Sequence, residues 1–128
     1  MRKILLALVF LTGLALVGCN RQFPMAEVSG KVTYKGKPLP EGTIMFVPES
    51  GFAAAGTIQP DGTFRLISGK PGDGAVIGRH KVAVMPPFQP QTPNYPKFPL
   101  KYQDAETSGL VAEVKEGTNT FEFELKEK

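Results

Sequence analysis

Apolar and polar residues alternate along much of the chain after residue 27, which is the pattern of β-strands with one buried face. In the first such stretch, Val28, Val32 and Tyr34 alternate with a serine, a lysine and a threonine. A period of two places successive side chains on opposite faces of a sheet. The same pattern predicts six further strands, over residues 43–47, 53–58, 63–68, 79–85, 110–115 and 121–126. No stretch after residue 27 shows a helical period.

Turn-forming residues separate these strands at short intervals, since the chain contains 14 glycines and 12 prolines. The clearest turn is Gln59-Pro60-Asp61-Gly62, where Pro60 presets φ and Gly62 accepts a positive φ. Residues 116–119 fit a turn between the last two strands. About seven short strands at this spacing predict an all-β fold, an antiparallel β-sandwich.

The beginning of the chain has a different pattern. Arg2 and Lys3 precede a continuous apolar run over residues 4–17. A helix of about 14 residues is about 21 Å long, which is too short to cross a hydrocarbon layer of about 30 Å. A charged start, a short apolar run and a small residue after it predict a cleaved export signal over residues 1–18.

Leu16, Val17, Gly18 and Cys19 resemble the lipobox of bacterial lipoproteins. The resemblance implies that a signal peptidase recognises Leu16, Val17 and Gly18, and that the Cys19 thiol carries a diacylglyceryl group and becomes the new N-terminus. Cys19 is the only cysteine, so no intramolecular disulfide competes for it. We expect a lipidated tether over residues 19–27 and one domain over residues 28–128. The alternative is a plain secretory peptide with Cys19 near the cut.

Charge argues against a nucleic-acid partner. The chain has 15 basic and 12 acidic residues, a formal net charge of +3, and loss of Arg2 and Lys3 with the signal segment lowers it to +1. Lysines and glutamates are interspersed, and no basic block of the kind that attracts nucleic acid occurs. We therefore expect no nucleic-acid binding.

Three stretches resemble the carboxypeptidase regulatory-like domain, a transthyretin-like (prealbumin-like) sandwich. They are Val28-Ser29-Gly30-Lys31-Val32, Gly36-Lys37-Pro38-Leu39-Pro40-Glu41-Gly42-Thr43-Ile44 and Pro60-Asp61-Gly62-Thr63-Phe64, and the resemblance covers about residues 28–85. In the family that gives the domain its name, zinc and catalysis belong to a separate peptidase domain. None of that peptidase is present here, so the resemblance implies no catalytic residue.

A search for chemistry in the sequence leads to the same expectation. His80 is the only histidine, and its place beside Val82 and Val84 on one strand face favours a packed side chain over a catalytic base or metal ligand. No serine lies in a nucleophile elbow. The glycine-rich segment 69–74 lacks the Gly-Lys-Ser/Thr of a phosphate-binding loop, and the scattered aspartates match no calcium loop. We expect no catalytic residue, no metal and no cofactor apart from the lipid on Cys19.

The remaining candidate is the segment 86–102, which combines prolines with aromatic side chains. Proline at every third position from Pro87 to Pro99 favours an extended path. The favoured interpretation is a long crossover that packs its rings over an open sheet edge, and the alternative is a surface for a glycan or protein partner. The aromatic residues of the candidate surface are Phe88, Tyr95, Phe98 and Tyr102.

These observations predict a membrane-anchored lipoprotein of the cell envelope, on the outer membrane or the periplasmic face. Asn20 after the cysteine, in place of the aspartate that retains some lipoproteins at the inner membrane, favours outer-membrane sorting. The expected role is a non-enzymatic structural or interaction module for an envelope protein. The alternative is a glycan-binding or cell-wall-binding lipoprotein that uses residues 86–102, and an enzyme dependent on His80 is the less favoured alternative.

Overall fold

The computed structural model describes residues 23–69 and 73–128 of the chain. The predicted signal segment 1–18, with Leu16, Val17 and Gly18, and the predicted lipid attachment residue Cys19 lie outside the described residues. So do residues 70–72 of the glycine-rich connection. Within the described parts, no helix is long and apolar enough to span a membrane.

Strands dominate the structure, and all seven predicted strands are present in the described residues. Their bounds, together with those of two additional two-residue strands, are β1 Met25–Tyr34, β2 Lys37–Pro38, β3 Thr43–Pro48, β4 Ala54–Thr57, β5 Thr63–Arg65, β6 Ala75–Val76, β7 Gly78–Met85, β8 Leu110–Val114 and β9 Thr118–Leu125. A short 3-10 helix spans Leu100–Gln103. Strand β1 begins three residues before the predicted domain boundary at residue 28, which shortens the expected tether.

Strand β1 is the centre of one sheet, called sheet I here. Strand β9 pairs with it in parallel from Glu27↔Thr118 to Tyr34↔Leu125. Strands β2, β5 and β6 pair with β1 in antiparallel fashion. The predicted antiparallel arrangement is therefore wrong for the β1–β9 pair. A half-buried strand shows the same alternation whichever way its neighbour runs, so the sequence pattern carries no information on direction.

The other sheet, sheet II, has the order β4-β3-β7-β8 and is antiparallel throughout. Because β8 belongs to sheet II and β9 to sheet I, the connection after Val114 carries the chain across the sandwich. The predicted turn at 116–119 is shorter than expected, since Thr118 and Asn119 already belong to β9. The Asn119 amide holds this crossing, because its Oδ1 accepts from the Lys115 amide at 2.9 Å and its Nδ2 donates to the Lys115 carbonyl at 2.7 Å.

The predicted turn at residues 59–62 is confirmed. The Gly62 amide donates to the Gln59 carbonyl at 2.8 Å, and Gly62 has a φ of 85°. Asp61 Oδ1 accepts from the hydroxyl and the amide of Thr63 at 2.6 and 3.0 Å, and these two bonds lower the pKa of the Asp61 carboxyl. The strands on either side lie in different sheets and meet at the Ala55↔Ile67 bridge, so this hairpin closes one side of the sandwich.

The core lies between the inner faces of the two sheets, with Phe46 of β3 near its centre. Its ring lies 5.7 to 6.3 Å from the rings of Phe64, Phe121 and Phe123, all from sheet I. Buried valines, leucines and isoleucines from both sheets complete the layer. Two sheets that bury their apolar faces against each other form a β-sandwich, which confirms the predicted fold class.

Candidate functional site

The segment 86–102 does not present its aromatic residues as one surface. Phe98 and Tyr102 are only 6% and 4% exposed and belong to the hydrophobic core, whereas Phe88 is 98% exposed. Tyr95 is partly buried and packs against the core. The expectation that Phe98 and Tyr102 form part of an exposed binding surface is therefore corrected, because these two rings cover one end of the sandwich.

Contacts at that end explain the burial. The Phe98 ring lies 6.4 Å from the Tyr34 ring at the end of β1 and 6.5 Å from the Tyr102 ring. The Tyr102 hydroxyl accepts a hydrogen bond from the Lys126 amide at 2.9 Å, just after β9. The crossover therefore ties together the last residues of β1 and β9, and an apolar sheet end needs such a cover.

The extended path expected for this segment is interrupted at Asn94, which has a φ of 56°. Glu41, in the loop that precedes β3, holds the segment in place through four hydrogen bonds. The carboxylate of Glu41 accepts from the Gln91 amide at 2.9 and 3.0 Å and from the Thr92 amide at 3.3 Å. The Tyr95 hydroxyl donates to the Glu41 carbonyl at 2.6 Å. Residues 91–95 are therefore held against the loop that precedes β3.

Burial, together with the nearby negative charge of Glu41, raises the pKa of Tyr95 from 10.0 to about 12. The folded protein thus keeps this proton at a pH where the unfolded chain loses it. The resulting stabilisation is complete below pH 10 and is lost as the pH rises toward about 12.

We expect the free energy of unfolding of the wild type to fall, relative to that of Tyr95→Phe, as the pH rises from 10 to about 12. Urea denaturation of both proteins below and within that interval measures the difference. Tyr34→Phe is the matched control, because the Tyr34 hydroxyl makes only a 3.5 Å contact with the Lys97 carbonyl. Parallel pH profiles of the wild type and Tyr95→Phe would contradict the assignment.

Residues 92–97 of the proline-rich crossover form one wall of a groove, and the β1–β2 turn forms the other. We call this groove the lysine groove. Its volume is about 450 Å³. The turn supplies Lys35 and Lys37, and the crossover supplies Lys97. The other lining residues are Tyr34, Pro38, Pro40, Thr92, Asn94 and Pro96. No acidic residue lines this groove among the described residues.

The local sequence explains the turn that carries two of the lysines. Tyr34 and Lys37 are paired across a two-residue loop, in which Lys35 and Gly36 have φ values of 53° and 77°. Positive φ at both loop residues defines the type I′ turn that fits a twisted hairpin. The Lys35 ammonium forms an ion pair with Glu127, and the hydrogen bond that it donates to this carboxylate raises the pKa of Lys35.

A second, larger groove runs along sheet I and reaches β3 and β4 of sheet II. It has a volume of about 710 Å³, and β1, β5 and β9 supply most of its lining. Its charged residues are Lys31, Arg65 and Glu122, so both signs of charge are present. The other polar residues are mainly hydroxyl side chains. We call this surface the sheet-face groove.

His80 lies inside the core. Its side chain is fully buried, and its ring lies 5.5 Å from the Phe46 ring. Because a carbonyl can only accept, Nε2 carries the proton and donates to the Val76 carbonyl at 2.6 Å. Nδ1 has no hydrogen-bond partner in the described part of the chain. A substrate cannot reach this ring without opening the sandwich.

The carboxylates are used locally rather than gathered at one place. Asp73 accepts from the Ser68 and Gly69 amides at 2.8 Å, and Asp104 accepts from the Glu106 amide at 2.9 Å. Residues 23–69 and 73–128 contain no group of three or more His, Cys, Asp or Glu side chains that could hold a metal ion.

The charged residues of the lysine groove were not among the predicted site residues. Lys97 is separated from Lys35 by about sixty positions in the sequence, and no period or motif links them. The turn signal in Lys35-Gly36-Lys37-Pro38 was the part that could be found from the sequence. The other wall of the groove depends on where residues 91–95 bind to Glu41, and only the folded structure shows that position.

Comparison with known proteins gives one structural likeness. No family model matches the chain, and no curated protein matches it. A solved structure of a DUF3823 family protein from Parabacteroides merdae is similar over 81% of this chain and 47% of that one, with 15% identity and a TM-score of 0.47. This chain thus spans about half the length of that protein. The resemblance to the carboxypeptidase regulatory-like domain remains a prediction.

Proposed function

We propose that the protein is a lipoprotein of the cell envelope, anchored through a diacylglyceryl group on Cys19, whose β-sandwich is a non-enzymatic interaction module. The observation that carries the proposal is the position of β1. This central strand of sheet I begins at Met25, only six residues after the lipobox cysteine. A folded domain thus follows almost directly on the predicted lipid attachment point.

In the proposed arrangement, this short separation keeps the start of β1 near the membrane. Six residues span at most about 20 Å, whatever their conformation. Strand β1 then extends over 10 residues, about 33 Å, to the Lys35-Gly36 turn. The start of β1 is therefore the membrane-proximal end, and the lysine groove lies at the distal end. Phe23 and Phe52 form an exposed aromatic pair, 6.0 Å apart, at the proximal end, where apolar rings suit a lipid–water interface.

Two features support a binding role over catalysis. His80, the only histidine, is enclosed in the core and hydrogen-bonded to Val76. The two grooves lie at the surface of the sandwich, where a partner can reach them. The sequence resemblance to the carboxypeptidase regulatory-like domain, which accompanies an enzyme and is not itself one, points in the same direction.

Cys19→Ala is expected to abolish membrane anchoring. In the wild type expressed in a bacterial host, intact-mass analysis should find a mature chain that begins at Cys19 and carries the added diacylglyceryl mass. The variant should lack that mass and leave the membrane fraction, because the thiol that accepts the lipid is gone. Phe88→Ala, which changes an exposed side chain of the folded domain, should stay lipidated.

The opposite result would be an unlipidated wild-type product cut at another position. That result would contradict the proposed lipid anchor and would favour a freely diffusing binding protein. The domain fold and its surfaces would be unaffected by that outcome.

Glycan or cell-wall binding is the second candidate function. It is favoured by the lysine groove, where residues 92–97 of the proline-rich segment form one wall. The aromatic residues of that segment do not supply a stacking platform, since Phe98 and Tyr102 are buried. Any recognition at this end of the sandwich must therefore use the residues of the groove.

A further inference from the structure

The lysine groove combines strong positive charge with a defined concave shape. Three ammonium groups line it, from Lys35, Lys37 and Lys97, and no carboxylate does among the described residues. We propose that the lysine groove binds an acidic polysaccharide, a chain of sugars that carries carboxylate or phosphate groups. This inference deepens the second candidate function and uses the proposed anchoring only for the direction in which the groove faces.

In the part of the chain that the structure describes, a nearby carboxylate neutralises one of the three lysines of the groove and leaves the other two without a counter-charge. Glu41 accepts hydrogen bonds from the Gln91 and Thr92 amides, and Glu127 forms an ion pair with Lys35. Lys37 and Lys97 are exposed, and within the described ranges neither has an ion-pair partner. Two cations facing a concave surface without counter-charges attract a ligand that supplies anions.

The rest of the lining suits a sugar more than a bare inorganic ion. Pro38, Pro40 and Pro96 offer apolar ring surfaces, while Thr92 and Asn94 offer a hydroxyl and an amide for hydrogen bonds. A volume of about 450 Å³ is within the range of small-molecule sites, about 300–1,000 Å³. The groove can therefore hold a short section of a chain.

Contacts within the protein itself hold both walls in place, and such pre-organisation lowers the entropic cost of binding. On one side the type I′ turn determines the positions of Lys35 and Lys37. On the other side, the hydrogen bonds that the Gln91 and Thr92 amides donate to the Glu41 carboxylate, and the bond that the Tyr95 hydroxyl donates to the Glu41 carbonyl, hold the crossover.

Position argues for a polymer outside the anchoring membrane rather than for its lipid headgroups. The lysine groove lies at the Tyr34 end of β1, and the predicted lipid attachment precedes the opposite end. A sandwich held by the short tether therefore directs this groove away from the bilayer surface. Electrostatic attraction to headgroups is screened within about 10 Å at ordinary ionic strength.

The test measures binding of the full-length lipidated protein in neutral detergent by isothermal titration calorimetry. The probes are polygalacturonate, whose charges are carboxylates, and phosphorylated dextran, with unmodified dextran as the neutral control. The groove variant is Lys37→Gln/Lys97→Gln. The matched control is Lys31→Gln/Lys115→Gln, which removes the same charge, and Lys31 lies in the sheet-face groove. Anionic phosphatidylglycerol vesicles are a separate probe.

We expect at least one acidic polysaccharide to bind, unmodified dextran not to bind, and added salt to weaken binding. The groove variant should bind about tenfold more weakly, while the control variant keeps the wild-type affinity. Three outcomes would overturn the inference: equal weakening by both variants, no binding of either acidic polysaccharide, or groove-dependent binding of the vesicles alone. None of them bears on the Cys19 anchor, which the mass measurement tests independently.

Discussion

Phe46→Ala is expected to lower the free energy of unfolding by about 3–5 kcal/mol, the range for removing a fully buried phenylalanine. Phe46 is completely buried, and four other aromatic rings surround it at centroid distances of 5.5 to 6.3 Å. Those rings come from both sheets, since His80 lies in β7 and the three phenylalanines in β5 and β9. The cavity cannot close without moving both layers.

Urea denaturation followed by circular dichroism measures this loss. Phe88→Ala removes the same side chain at a position that is 98% exposed, so its effect should stay within about 0.5 kcal/mol. Similar effects of the two substitutions would show that Phe46 is not at the centre of the core.

Gly30→Ala should cost about 3 kcal/mol, at the upper end of the range for overpacking. Gly30 lies in the middle of β1, with its side-chain position directed into the sandwich. An added Cβ would overlap the Phe121 carbonyl oxygen of β9 and would lie 2.7 Å from Cζ of the Phe64 ring. A neighbouring backbone cannot yield by a rotamer change, so the β1–β9 pairing itself must shift.

The matched control is Gly69→Ala. Among residues 23–69 and 73–128, the nearest atom to a Cβ added at that position is Asp73 Oδ2 at 3.7 Å, an ordinary van der Waals contact. We expect the control to change the unfolding free energy by no more than about 0.5 kcal/mol. If Gly30→Ala proved as stable as the control in thermal and urea denaturation, the close approach of β9 to β1 would be wrong.

Local signals in the sequence predicted the strands and one of the turns. Strand β3 begins at the predicted residue, Thr43, and β7 ends at the predicted residue, Met85. The turn at 59–62 formed because Pro60 and Gly62 have backbone preferences that act without help from distant residues. These features depend on the chain within a few positions, which is the distance over which a sequence pattern can be interpreted.

The pairing of distant strands could not be predicted in this way. The parallel partnership of β1 with β9 joins residues about ninety positions apart. It depends on the chain leaving sheet II after Val114, a crossing held by the Asn119 side chain. Alternating residues predict that one face is buried, but not which strand covers it.

For the candidate site, too, the sequence predicted one part and the structure was needed for the other. The proline-rich segment was predicted as either a surface or a cover. The buried positions of Phe98 and Tyr102 show that it is a cover for part of its length. Its other part forms a groove wall only because Glu41 binds the backbone of Gln91 and Thr92.

The sequence by itself determined the all-β class, the positions of the seven main strands and the turn at 59–62, since alternation and turn chemistry are local properties. It also supplied the resemblance of residues 16–19 to a lipobox, which motivates the proposed anchor. Only the tertiary structure decided the parallel β1–β9 pair and the meeting of Lys35 and Lys37 with Lys97. The physical reason is that such contacts join residues far apart in the chain, and their geometry follows from how two sheets and a crossover close around one core.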